Sequence, residues 1–172
     1  MLPHDERPYS FCPLCGAGLE LRSLKPTDPD RLVCLGCGFI FYQDPKVAVG
    51  TIISDERSQI LLLRRAIQPG YGKWVFPGGF VDRGEPVIDA AHREAREESG
   101  FEIRIDRLLN VYSYRGSSPV IIVYVASIAG GALVCDEESL EARFFTAEAI
   151  PWEELAFKST HQALREFLIT KS

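Results

Sequence analysis

The pattern of hydrophobic and polar positions changes near residue 46. Beyond that point, apolar or alternating runs of strand length are separated by turn-like polar segments, as in a β-sheet whose strands are joined by short loops. This pattern predicts six strands, at residues 47–54, 59–65, 74–76, 102–114, 120–128 and 142–146.

Two helices are predicted among these strands. The first spans residues 86–99, with Pro86 in its first turn and Gly100 as its C-terminal stop. The second spans residues 159–170, where four apolar residues recur at helical spacing. Strands, a central helix, further strands and a last helix predict an α/β fold in which helices cover a mixed sheet.

The segment before residue 46 is short, polar and rich in cysteine. Two Cys-x-x-Cys turns, each followed by glycine, are formed by Cys12, Cys15, Cys34 and Cys37. Such turns present four thiolates to one tetrahedral zinc ion, which supplies much of the folding free energy of a segment with little core. A thioredoxin-like redox pair is the alternative, but it requires one pair at a strand-to-helix junction. We therefore predict a structural zinc ribbon and linker at residues 1–45 and a main domain at residues 46–172.

Composition and charge argue for a globular domain and against nucleic-acid-binding and membrane proteins. A chain of 172 residues that is 46% hydrophobic can bury one sizeable core. Its formal net charge of -5 argues against a broad surface for nucleic acid, so we expect no nucleic-acid partner. Neither a signal peptide nor the roughly 20 apolar residues of a membrane helix is found. We expect a cytoplasmic protein that does not bind membranes, in which Cys135 is partly buried and has no catalytic role.

The first predicted helix carries a cluster of acidic residues. Glu94, Glu97 and Glu98 are spaced i, i+3 and i+4, so their carboxylates share one helix face. Like charges at this spacing cost a helix roughly 0.2–0.5 kcal/mol per pair, whereas oxygen-rich clusters bind Mg²⁺ or Mn²⁺. A solvated acidic face is the alternative, but the glycine-rich loop before the helix allows the backbone to approach a ligand. A separate apolar face is predicted from Ile88, Ala91 and Ala95.

This stretch resembles the Nudix box, Gly-x5-Glu-x7-Arg-Glu-apolar-x-Glu-Glu-x-Gly-apolar. The resemblance extends over about residues 46–170 and implies the α/β/α sandwich of Nudix hydrolases, with a mixed β-sheet, preceded here by the zinc ribbon. Every defined position of the box is matched, by Gly79, Glu85, Arg93, Glu94, Ala95, Glu97, Glu98, Gly100 and Phe101.

The resemblance implies a metal site with Mg²⁺ or Mn²⁺. Its implied ligands are the three helix carboxylates and the carbonyl of Gly79, while Glu85 and Arg93 brace the loop against the helix. Zinc-ribbon relatives supply a fourth acid from a Glu-x-x-Glu stretch, which makes Glu138 the fourth ligand here and Glu141 its alternative. The implied reaction is metal-assisted hydrolysis, with one of the acids as general base. Glu97 and Glu138 are both candidates for that role.

The ribbon and box together are similar to bacterial NADH pyrophosphatases. Those enzymes carry a Ser-Gln-Pro-Trp-Pro-Phe-Pro-type motif after the box, which residues 110–119 lack. The chain is closer to plant-type enzymes that act on FAD and ADP-ribose. Four segments carry this similarity, at residues 42–45, 68–69, 138–141 and 155–157. The resemblance therefore implies hydrolysis of the diphosphate in ADP-ribose or FAD, with AMP as a product and a homodimer as the assembly.

Several residues are candidates for contact with such a nucleotide substrate, although each also has an ordinary structural explanation. Basic side chains that could balance phosphate charge are Arg64, Arg65 and Lys73. Aromatic rings that could stack on adenine are Tyr112, Tyr114 and Phe157. Other substrates stay open, namely NADH, nucleoside triphosphates and RNA caps, as does a non-catalytic nucleotide sensor. For the ribbon we favour structural support or dimer formation over nucleic-acid binding.

Overall fold

The computed structural model describes residues 9–170. The chain divides into two compact units, with the boundary between Pro45 and Lys46. The first unit is a three-stranded antiparallel sheet in the order β1-β2-β3. Its strands are β1 (Leu19–Arg22), β2 (Arg31–Cys34) and β3 (Ile40–Phe41).

Over residues 46–170, the second unit contains six strands and two α-helices. The sheet has the order β6-β5-β4-β8-β7, and β9 pairs with β5. The pairing of β4 with β8 is parallel and the other pairings are antiparallel, so the sheet is mixed. The elements are β4 (Val47–Ser54), β5 (Ile60–Arg65), β6 (Trp74–Val75), α1 (Val87–Ser99), β7 (Phe101–Ser113), β8 (Val120–Gly131), β9 (Ser139–Phe145) and α2 (Lys158–Thr170).

Alternating side chains of the central strands face two different helices. Ile52 and Leu62 belong to the cluster that contains Leu164 of α2. Their neighbours Ile53 and Leu61 belong instead to the cluster that contains Ala95 of α1. Because successive strand residues point to opposite faces, each face of the sheet is covered by one helix. The predicted α/β/α sandwich with a mixed sheet is confirmed.

The boundaries of α1 follow from its terminal residues. Gly100 ends the helix at φ 73°, and its N–H donates to the carbonyl of Arg96 at 2.9 Å, which confirms the predicted stop. Pro86 is the N-cap residue at φ −62° and ψ 138°, one position before the first turn in which it was predicted. The prediction that Ile88 is part of the apolar face is wrong, since it is 50% exposed. Val87 is partly buried, and the fully buried residues of this helix begin at Ala90.

Two further predictions need correction. The last strand begins at Ser139 rather than at residue 142, because Ser139 already pairs with Arg65 of β5. Cys135 is exposed rather than partly buried, and its thiol donates to the carbonyl of Ser139 at 3.3 Å. Between residues 9 and 170, neither α-helix combines the length and the hydrophobicity needed to cross a membrane.

Candidate active site

The four paired cysteines of the first unit come together. Their sulfur atoms all lie within 4.8 Å of one another, with 3.8 Å between Cys12 and Cys37 and 3.4 Å between Cys15 and Cys34. None of the four is in a disulfide. Zn–S bonds of about 2.3 Å in a tetrahedron place sulfur atoms about 3.8 Å apart. The donor set and its spacing therefore fit a four-thiolate zinc ion.

The two turns that carry these cysteines are built alike. The N–H of Leu14 points at the Cys12 sulfur at 3.4 Å, and the N–H of Gly36 points at the Cys34 sulfur at 3.3 Å. Each turn is followed by a glycine with φ near 75°, Gly16 and Gly38, a conformation that other residues rarely adopt. The local sequence thus positions the sulfurs through backbone geometry.

An open cleft of about 710 Å³ lies in the second unit. One part of its wall is acidic and belongs to α1 and to the segment before β9. Its acidic lining residues are Glu94, Glu97, Glu98, Asp136 and Glu138. All four acids that the sequence predicts as ligands thus line one cleft, together with Gly79.

Glu98 is the most buried of the cleft carboxylates whose pKa is shifted. It accepts a hydrogen bond from the N–H of Gly78 at 2.7 Å. Burial raises the pKa of Glu98 to about 8, and the charges of Glu94 and Asp136 add to this effect, against the Gly78 hydrogen bond and the charge of Arg65. Burial likewise raises the pKa of Glu94. Two carboxylates are therefore held where a cation would favour their ionised form.

The loop before α1 reaches these carboxylates because it contains glycine. A Cβ atom on Gly79 would lie 2.5 Å from Oε1 of Glu94, so no larger residue fits without displacing the carboxylate. The carbonyl of Gly79 accepts the N–H of Val49 at 2.8 Å, and the carbonyl of Pro77 accepts the N–H of Thr51 at 2.8 Å. These bonds align the loop along β4. The Gly79 oxygen keeps a second lone pair for another partner.

Arg93 connects the loop to the acidic helix face. Its guanidinium donates to both carboxylate oxygens of Glu85, at 2.8 and 2.9 Å, and to the carbonyl of Phe80 at 3.1 Å. It also donates to Glu94 at 2.8 Å and to Glu97 at 3.1 Å. The hydrogen bonds from Arg93 hold the pKa of Glu85 at about 2. The brace implied by the resemblance is thus formed by a bidentate ion pair.

The other part of the cleft wall is aromatic and cationic. The guanidinium carbon of Arg65 lies 5.2 Å from the ring centre of Phe157, and its Nε donates to the carbonyl of Pro69 at 2.8 Å. The ammonium of Lys158 lies 4.8 Å from the ring centre of Tyr114. The Tyr114 hydroxyl donates to Gln162 at 2.6 Å. This part of the cleft combines flat rings with positive charge next to the acidic wall.

Some predicted substrate contacts, and the alternative fourth metal ligand Glu141, lie away from the cleft wall. Arg64 donates from Nε to the carbonyl of Gly72 at 2.9 Å, since it points to the opposite side of β5 from Arg65. Tyr112 is 7% exposed and its hydroxyl donates to Glu166 at 2.8 Å, and burial raises its pKa. Glu141 forms an ion pair with Arg143 at 3.3 Å. Neither these three residues nor Lys73 is among those that line the cleft.

Sequence reasoning missed two charged residues of the cleft wall. Asp136 lines the acidic wall, and its Oδ1 accepts the N–H of Glu138 at 3.2 Å. The acidic spacing of Asp136 and Glu138 just before a predicted strand is the signal that marks it. Lys158 begins α2 and lines the aromatic and cationic part of the wall. No pattern in the sequence distinguishes it from an ordinary exposed lysine.

Comparison with known proteins gives matches over both units. The family model described as NUDIX domain matches residues 44–168, and a zinc-ribbon Nudix model described as Nudix N-terminal matches residues 10–43. An ADP-ribose pyrophosphatase from Methanocaldococcus jannaschii is 38% identical over 67% of this chain and 69% of that protein. The NAD-capped RNA hydrolase NudC from Chromobacterium violaceum is 25% identical over 91% of this chain, which spans only 57% of that protein.

A solved structure gives the same result. The crystal structure of a NUDIX hydrolase from Nitrosomonas europaea superposes with a TM-score of 0.89 and is 36% identical, covering 95% of this chain and 92% of that chain. The matching models, the α/β/α sandwich and the carboxylates around the glycine-rich loop agree with one another. This chain belongs to the Nudix hydrolase family and carries the family's N-terminal zinc-ribbon segment.

Proposed function

We propose that this enzyme hydrolyses the diphosphate linkage of a nucleoside diphosphate joined to a second moiety, with ADP-ribose or FAD as substrate and AMP as a product. The observation that carries the proposal is the composition of one cleft. Five acids line one part of its wall and Arg65, Tyr114 and Phe157 line another. Diphosphate hydrolysis needs such a combination, because the reacting phosphates require cations and the nucleoside requires flat apolar contacts.

The acids would hold the divalent cation, Mg²⁺ or Mn²⁺. We assign this role to Glu94, Glu97, Glu98 and Glu138, with the Gly79 carbonyl and Asp136 at the same wall. Oxygen donors of this kind suit hard divalent cations. When bound, the cation supplies charge neutralisation and polarisation of the phosphate oxygens. Its charge would also offset the burial that raises the pKa of Glu98 to about 8.

The remaining roles are accepting a proton, balancing phosphate charge and binding the nucleobase, and we assign them to side chains of the cleft. The side chain of Glu97 is 58% exposed and Glu138 is also exposed, so both can receive a proton from an attacking water. Arg65 can offset negative charge that develops on the phosphates. Tyr114 and Phe157 can stack on the nucleobase. Arg93 keeps Glu94 and Glu97 in place through its hydrogen bonds.

The choice of substrate rests on the similarity to the ADP-ribose pyrophosphatase of Methanocaldococcus jannaschii and on the resemblance to plant-type FAD and ADP-ribose enzymes. A second candidate is a nicotinamide dinucleotide, free or as an RNA cap. It is favoured by the similarity to NudC, which extends over 91% of this chain and so includes the ribbon.

The cysteine cluster is proposed to hold zinc in a structural role. Its four sulfurs fit tetrahedral coordination, and four thiolates leave the ion no open position for a substrate. A homodimer is proposed from the family resemblance, and the cytoplasmic location expected from the sequence stays a proposal.

The test incubates the full chain with Mg²⁺ or Mn²⁺ and ADP-ribose, FAD, NADH or nucleoside triphosphates, and separates the products by chromatography. Release of AMP from ADP-ribose or FAD supports the proposal, whereas pyrophosphate released from triphosphates alone contradicts it. Glu138→Gln tests the fourth acid. Its matched control is Glu137→Gln, because Glu137 is the adjacent exposed acid and does not line the cleft. Equal activity of the two variants would remove Glu138 from the site.

A further inference from the structure

A second, smaller pocket adjoins the cleft. Its volume is about 370 Å³, and its walls are formed by the segment before α2 and by the start of that helix. Phe157 and Lys158 line both the cleft and this second pocket, so they form the divide between the two. The two pockets therefore lie side by side, with these two residues common to both.

The second pocket is built around an indole ring. Trp152 packs partly against the main core, which fixes its position. The ring of His161 stands nearly edge-on to it, with centroids 5.2 Å apart and an interplanar angle of 70°. The guanidinium carbon of Arg165 lies 5.4 Å from the Trp152 ring centre. A partly exposed indole, framed by an imidazole and a guanidinium, is suited to stack against a planar aromatic group.

The divide between the pockets carries positive charge without a carboxylate partner. Between residues 9 and 170, neither Lys158, which lies at the divide, nor Arg165, which lies over the Trp152 ring and lines neither pocket, takes part in an ion pair. Both cations lie over aromatic rings instead, those of Tyr114 and Trp152. Because Lys158 also lines the cleft, its ammonium is available to a phosphate that lies there. A group that crosses the divide passes beside the same ammonium.

We propose that the pocket of Trp152 and His161 is a subsite for the second aromatic ring of a dinucleotide substrate, whose diphosphate lies in the cleft between the acidic wall and Lys158. The inference rests on the proposed function and refines it. FAD has an aromatic ring system at each end and fills both pockets. ADP-ribose has one and fills only the cleft. The subsite therefore favours dinucleotides with two aromatic ends over ADP-ribose.

The experiment compares FAD with ADP-ribose on the full chain with Mg²⁺. Trp152→Ala is expected to lower kcat/KM for FAD about tenfold, the size of one lost base–aromatic stack, mainly through a higher KM. The value for ADP-ribose should change less than twofold. Trp152→Phe keeps a ring and should restore most of the FAD activity. Tyr71→Ala is the matched control, since Tyr71 is an exposed aromatic residue that lines neither pocket.

The outcomes separate the subsite from the proposed function. Equal losses for both substrates would show that Trp152 acts only through the fold, and unchanged FAD kinetics would show that no ring binds there; either result overturns the subsite. If the wild type hydrolyses neither compound, the proposed function fails. Equilibrium binding of FAD and ADP-ribose to the same variants then decides the subsite, because Trp152→Ala must weaken FAD binding selectively. Thermal unfolding of each variant confirms that the fold is retained.

Discussion

The cysteine cluster and the carboxylate face bring together similar numbers of cation-binding side chains. The units that carry them differ greatly in the size of their hydrophobic cores. Among the described residues of the first unit, the buried apolar side chains are Cys12, Leu32, Val33 and Cys34, so two of the four are cysteines. The carboxylates instead project from a helix packed on a sheet whose strands bury many aliphatic residues. A cation bound at the first site would complete a fold, whereas a cation bound at the second would add chemistry to a fold that is already complete.

The largest effect that this comparison predicts is the loss of the ribbon fold without zinc. Cys34→Ser should abolish zinc binding and unfold the first unit, because apparent zinc-binding free energies of about 10–16 kcal/mol act as folding free energy in such segments. Zinc content by atomic absorption and limited proteolysis test this prediction. Cys135→Ser is the matched control, since this exposed thiol is outside the cluster. A ribbon that resists proteolysis without zinc would contradict the comparison.

The second prediction is that loss of a ligand at the carboxylate face lowers activity but leaves the fold intact. Glu98→Gln should lower kcat for diphosphate hydrolysis about 10³-fold, a loss of about 4 kcal/mol in transition-state stabilisation. The melting temperature of the second unit should not fall, because the substitution removes a carboxyl whose charged form is disfavoured by burial. Glu137→Gln again serves as the control. Activity within tenfold of the wild type would remove Glu98 from the cation site.

A smaller effect is expected where a residue supports the acids without contact to substrate. Arg93→Lys should reduce activity or cation affinity about 10- to 100-fold, as is typical for partners of metal ligands. Lysine keeps the charge but cannot form the bidentate bond that Arg93 makes to Glu85. Cation titrations of activity measure the change. Arg96→Lys on the exposed side of the same helix is the control, and an equal loss there would indicate a nonspecific effect.

The smallest expected effect concerns acid stability. Arg93 lowers the pKa of Glu85 from its ordinary 4.5 to about 2 in the folded protein. The ion pair therefore contributes stability that is fully present above about pH 4.5 and is lost as the pH falls towards 2. Urea unfolding between pH 2.5 and 6 should show this loss in the wild type and a flatter profile in Glu85→Gln. Glu56→Gln, an exposed acid in the turn between β4 and β5, should leave the profile unchanged.

Local patterns in the sequence predicted those features that depend on neighbouring residues. Gly100 was placed correctly as a helix stop because its left-handed conformation is a local property. The three helix acids were brought to one wall because their spacing alone places them on one face. The same reasoning included Ile88 in the buried face, since periodicity does not reveal where a helix first meets its sheet.

Features that depend on distant segments were not accessible in this way. Arg64 and Arg65 are adjacent arginines that no sequence pattern distinguishes. Only the orientation of β5 places Arg65 in the cleft wall. Tyr112 and Tyr114 differ in the same way, since Tyr114 lines the cleft and Tyr112 does not. The Tyr112 hydroxyl instead donates a hydrogen bond to Glu166 of α2, which is 54 residues further along the chain. Asp136 lines the cleft because the segment before β9 returns to α1. The acidic spacing of Asp136 and Glu138 marks the residue in the sequence but does not show where that segment packs.

The parallel pairing of β4 with β8 has a consequence for the order in which the molecule assembles. Its register joins Val47 to Val120 and continues to Ser54 with Ser127, a constant separation of 120 − 47 = 73 residues. The glycine-rich loop and α1 both lie within the chain segment that this pairing closes. Long-range parallel contacts form slowly because the entropy of closing the segment is lost before they stabilise the fold. The acidic wall of the cleft is therefore expected to be among the last regions to fold, after local hairpins such as β7–β8.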